Sequence, residues 1–158
     1  MATPLPFQIA KIIDQECRAA SNLLQLLKRE SVALSQRNID ELANIIEQKS
    51  QELVTLDQAG KQRHALLTQQ KLPADDKHWR LLLSRCRDEK LLQLWQSLEQ
   101  NIKRCKMENE TNGKLLARSQ RVLDRLTAVL KGQSADTSLY NQKGNHNAGK
   151  RTLTYAQA

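Results

Sequence analysis

Twelve positions in the second half of the chain keep one period. Leu91, Trp95, Leu98, Ile102, Cys105, Asn109, Asn112, Leu116, Ser119, Leu123, Leu126 and Leu130 follow one another in alternating steps of four and three. A 3.5-residue repeat sustained over so many turns belongs to helices that wind around one another, rather than to a short surface helix. It confines the chain to long α-helices lying side by side. Composition agrees, because aromatics make up only 3% and the 158 residues hold five Gly and three Pro. Few strand and turn formers argue against sheets, and abundant Leu, Gln, Glu, Lys, Arg and Ala favour helix. The length fits one domain, with or without a tail.

Pro4 and Pro6 suit the first turn of a helix, which the pattern extends over about 7–36. Its seam is Ile13, Cys17, Ala20, Leu24, Leu27 and Leu34, widened by Ile9, Ile12, Leu23 and Leu26. Asn38 can cap a second helix over about 39–70, with Asp40 and Glu41 in its first turn. That seam reads Leu42, Ile46, Leu53, Leu56 and Leu67, with Lys49, Gly60 and Arg63 interposed. Long basic side chains can snorkel along such a seam, so the two cations there are expected at flank or contact positions rather than as buried charges. Pro73 stops this helix, and Asp75 or Asp76 can start a third over 77–131, with a hinge candidate near 88. Gly132 ends it.

Short connections between long helices imply antiparallel neighbours. The expected fold is all-α, an elongated antiparallel three-helix bundle of coiled-coil character over 1–131, with a flexible C-terminal tail over 132–158. At 1.5 Å per residue the second helix spans roughly 48 Å and the third roughly 66 Å from position 88, so the last ~10 residues overshoot. They include Val122, Leu123, Leu126, Val129 and Leu130. Burying one such side chain is worth on the order of 1.5–3 kcal/mol, so this stripe needs a cover. The first helix, a second copy of the chain in a homodimer, the tail and a partner's helix are all candidates.

Asn109 and Asn112 occupy seam positions, and Gly113 follows them. Asn on a seam fixes register, and Gly weakens a helix or admits a close backbone. The three residues therefore mark either a register lock or a hinge. The tail is polar and rich in Gly and Asn, with apolar pairs at Leu139–Tyr140 and at Leu153 with Tyr155.

No motif for nucleotide binding, hydrolysis or metal catalysis occurs. Nothing points to an enzyme, a cofactor or a metal. Cys17, Cys86 and Cys105 are far apart and fall on apolar helix faces. His64, His78 and His146 lie on different segments, a spacing that suits surface histidines. The net charge is +8, and residues 77–131 hold thirteen Lys/Arg against six Asp/Glu. These cations are scattered and lack interleaved aromatics, so nucleic-acid binding is not expected. There is neither a signal-peptide pattern nor an apolar run of ~20 residues, which predicts a soluble cytoplasmic protein without membrane insertion.

Four stretches together resemble the FlgN-type flagellar secretion chaperones. They are "LLQLLKRESVALSQRNIDELANIIEQKSQEL", "QAGKQRHALL", "ENETNGKLLARSQRVLDRL" and "SLYNQKG". Their order and spacing carry the likeness more than any one of them. The resemblance implies a cytoplasmic export chaperone without ATPase activity. Such a protein binds hook–filament junction (hook-associated) proteins, prevents their premature assembly and delivers them to the flagellar export apparatus. It further implies client binding at Leu116, Leu123, Leu126, Val129 and Leu130, and export-gate docking at Tyr140. The chain departs from the family pattern in being long and basic after Gly144, which leaves Leu153 and Tyr155 without a role. The competing reading is a structural coiled-coil adaptor, or a self-associating protein with no exported client.

Overall fold

Two prolines set where the first helix starts. In the computed structural model, which describes residues 4–131, Pro4 is the cap and α1 runs Leu5–Gln36. Phe7 and Gln8 donate their backbone N–H groups to the Pro4 carbonyl, so the proline nitrogens that cannot donate fall where no donor is needed. α1 ends at Arg37, which is left-handed (φ 54°). The Asn38 N–H then bonds the Ala33 carbonyl at 3.0 Å, and the Asn38 side chain accepts from Glu41 N–H at 3.1 Å. One residue thus helps close α1 and caps α2, Ile39–Gln69.

Pro73 separates α2 from α3, Asp76–Cys86. Asp75 caps α3 by accepting from the His78 backbone N–H at 2.8 Å, and its carboxylate meets the His78 ring Nδ1 at 2.7 Å. These bonds hold the Asp75 carboxyl below its usual range. The segment expected over 77–131, with a hinge candidate near 88, is two helices parted at that place. Arg87 turns left-handed (φ 50°), and Asp88 caps α4, Glu89–Leu130, by accepting from Lys90 N–H at 3.0 Å. Among the described residues the fold is all-α, with these four helices.

The chain divides into two units, Met1–Arg118 and Ser119–Ala158. In the first, α1 and α2 are antiparallel neighbours. Glu16 pairs with Arg63, and Glu30 with Lys49, so fourteen residues along α1 match fourteen back along α2. α1 and α4 run parallel, with the Cys105 thiol 3.5 Å from the Ala20 carbonyl and Asn112 Nδ2 2.8 Å from the Leu27 carbonyl. Each of these contacts joins residues 85 apart.

The buried residues fall into three clusters, the first two bridged by the half-buried Leu56. The largest cluster joins all four helices through Ile9, Ile13, Leu67, Trp79, Leu83 and Leu91, among others. A second gathers Leu23, Leu27 and Cys105, and a third Leu26, Ala33 and Ile45. Trp79 and Trp95 meet edge to face, with centroids 5.8 Å apart.

Of the seam expected for α2, Leu67 is buried and Leu42 and Leu56 pack against the core, but Ile46 and Leu53 do not turn inward. Ile46 and Leu53 are 61% and 52% exposed, whereas Ile45, Ala59 and Leu66 are buried. Lys49 and Arg63 take contact positions against α1. Their side chains are only 19% and 23% exposed because α1 supplies Glu30 and Glu16 at the same levels.

Candidate functional site

The second unit carries the stripe of apolar residues picked out in the sequence. Its described part, residues 119–131, is helical as far as Leu130. Leu123, Leu126, Val129 and Leu130 are 53%, 52%, 54% and 88% exposed, and Val122 is exposed as well. Spacings of three and four set Leu123, Leu126 and Leu130 on one helix face. Leu116, on the first unit, is 56% exposed. Tyr140 lies outside the described residues, as do Leu139, Leu153 and Tyr155.

Asn109, Asn112 and Gly113 have three distinct settings in the first unit. Asn112 is 4% exposed and donates both to the Leu27 carbonyl and to Glu30 Oε2, each at 2.8 Å. Glu30 is also the carboxylate that pairs with Lys49, so one side chain ties α1 to both α2 and α4. Gly113 is exposed, and a Cβ placed on it would meet nothing within 4 Å. Its lack of a side chain therefore admits no neighbouring backbone there. Asn109 is exposed and lines a groove.

That groove runs between α2 and α4, with α1 as its floor. It consists of two adjoining hollows, of about 480 and 360 Å³, which share Leu56, Ile102 and Lys106. Leu23, Leu27, Leu53 and Cys105 line the narrower part, and Trp95, Leu98, Glu16 and Arg63 the wider. Lys103 stands at the wider part, and Lys106 borders both.

At the wider end Arg63 is held from three sides. Its Nε donates to Glu16 Oε1 at 2.9 Å, and its guanidinium carbon lies 5.6 Å from the Trp79 ring centroid and 5.1 Å from that of Trp95. Glu16 is 3% exposed. Burial pushes its carboxyl above the usual range, against the pull of Arg63. Glu16 Oε2 and the indole nitrogens of both tryptophans have no hydrogen-bond partner among the described residues. The sequence offered one clue to this cluster: a cation on an otherwise apolar seam needs an anion at its own level.

The three thiols hold their protons above the usual range, chiefly through burial. Among the described residues no group of three His, Cys, Asp or Glu side chains is placed to hold a metal ion. None of their helices is long and apolar enough to cross a membrane.

Set against known proteins, residues 1–148 match the model of a family described as FlgN protein. No curated protein and no solved structure gives a match. The family match takes in Tyr140 and stops short of Leu153 and Tyr155.

Proposed function

The chain belongs to the FlgN family, one of flagellar export chaperones, and on that premise we propose that it holds hook–filament junction proteins on the apolar helix face of its second unit. The observation that carries the reading is the exposure of Leu123, Leu126, Val129 and Leu130, each more than half open to solvent. Apolar side chains at spacings of three and four along one helix are what a client helix packs against. Each Leu or Val covered in this way contributes on the order of 1.5–3 kcal/mol at most. Leu116 adds an exposed apolar position on the same helix, in the first unit.

In this reading the held client cannot assemble early, because its own assembly helix is occupied. Delivery to the export apparatus follows from a separate contact, for which Tyr140 is the candidate. The chemistry is binding and release in the cytoplasm, with neither cofactor nor covalent step.

The test is calorimetric titration of purified hook–filament junction proteins into the full chain and into Leu123→Glu/Leu126→Glu. Binding by the parent that is lost in the variant, with helix content unchanged by circular dichroism, supports the reading. Equal binding by both chains overturns the assignment of the face. A parent that binds no junction protein, and whose mass by light scattering is that of a stable oligomer, favours the self-associating adaptor.

A further inference from the structure

The α2–α4 groove lies in the first unit, on residues that the client reading does not use. Three features show that it is unfinished. First, α2 presents two apolar rows. Ile45, Ala59 and Leu66 are buried, while Ile46 and Leu53 stay open, Leu53 on the groove wall. Second, Lys103 and Lys106 at its border make no ion pair among the described residues, although the other charged side chains that line the groove are matched. Glu16 has Arg63, Lys49 has Glu30, and both Asp76 and Glu99 have Arg80. Third, Glu16 and Trp95 line the wider end, and each keeps a buried polar atom without a partner.

Three long helices leave one side of a four-helix arrangement vacant, and a groove with walls of two helices and a floor of the third takes a helix. The charges say what kind. Lys103 and Lys106 are three apart, so they stand one turn from each other on α4. A helix that answers both carries carboxylates at matching spacing beside an apolar stripe.

We propose that the α2–α4 groove is a docking site for an acidic amphipathic helix of a partner protein, distinct from the apolar face of residues 119–130. The chain's own tail does not suit it. Residues 132–158 hold three Lys/Arg and a single acidic residue, Asp136, so the tail brings the wrong sign of charge. Repulsion between whole chains of net charge +8 works against a second copy, although α2, with five acidic and three basic residues, is itself acidic, so light scattering reads self-association separately.

Two synthetic helical peptides test this on the full-length protein. Both carry Leu at positions i, i+3, i+4 and i+7; one has Glu at the flanking positions and the other has Lys. Trp95 lines the groove, so tryptophan emission reports its occupation. The Glu peptide is expected to shift that emission saturably and the Lys peptide to leave it unchanged. Lys103→Glu/Lys106→Glu replaces two exposed side chains, and is expected to weaken the Glu peptide about tenfold at low salt without altering helix content. Leu53→Glu is expected to weaken it as well. Leu123→Glu/Leu126→Glu is expected to leave it unchanged, which separates this proposal from the client reading.

Equal binding of the two peptides, or loss of binding only in the Leu123/Leu126 variant, overturns the proposal. So does tighter Glu-peptide binding after removal of residues 132–158, which gives the groove to the tail. A doubled mass by light scattering that Leu53→Glu abolishes gives it to a second copy.

Discussion

Replacing Arg63 with Ala tests how charge is managed inside the bundle. The variant leaves Glu16, 3% exposed, with no cation beside it. An exposed ion pair is worth about 0–1 kcal/mol, whereas removing one member of a buried pair costs about 3–5 kcal/mol. The Arg63 side chain is 23% exposed and Glu16 only 4%, so the larger range applies. Loss of the guanidinium from the two indole faces adds to it. For a domain of about 5–15 kcal/mol total stability, that is a large share.

The cost also depends on pH in a defined direction. Folding raises the Glu16 carboxyl above its ordinary value of 4.5, so stability falls as pH climbs from there through the raised value and Glu16 ionises. Without Arg63 the carboxyl rises further and the window widens. Urea unfolding followed by circular dichroism at about pH 8 and about pH 5 should therefore show a gap between parent and variant that narrows in acid. Adding Glu16→Gln to the variant should recover more than half of the loss and remove most of the pH dependence. A gap below about 1 kcal/mol at neutral pH, or one of equal size at both pH values, refutes the reasoning.

Two further substitutions probe the neighbourhood of Asn112. Gly113→Ala places a methyl group in open space within a helix and should raise stability by about 1 kcal/mol in the same urea assay; a loss would show that α4 is not regular there. Asn112→Leu should keep or raise the unfolding midpoint while loosening the alignment of α1 on α4. Split nuclear magnetic resonance signals at Leu27 and Cys105 are expected, and one sharp set would contradict a register role.

Period and caps made much of this fold readable. The seam positions Leu91, Trp95, Leu98, Cys105 and Asn112 are all buried, because a 3.5-residue repeat admits few other arrangements. Asn38 and Asp75 cap α2 and α3, since a short side chain with an acceptor oxygen suits that place. The inward face of α2 was harder to read. Apolar residues sit side by side at Ile45–Ile46, and periodicity cannot choose between adjacent rows. The break at Arg87 was ambiguous because a left-handed arginine carries none of the signal that glycine gives. The settings of Lys49 and Arg63 depend on carboxylates 19 and 47 residues away, which no local pattern reports. The exposed face at Leu123 and Leu126 could be read from residue type, but the α2–α4 groove appears only when three helices are set together.

A core split into three clusters has a consequence for how the first unit comes apart. The cluster around Trp79 draws on four helices, whereas Leu26, Ala33 and Ile45 join only two. Local opening follows the density of apolar contacts, so the α1–α2 turn breathes on its own while the tryptophans stay clamped. Deuterium is expected to enter the amides near Ala33 and Ile45 well before those near Leu83. The first unit should then loosen by stages from that end, as a zip does, instead of melting as a single block.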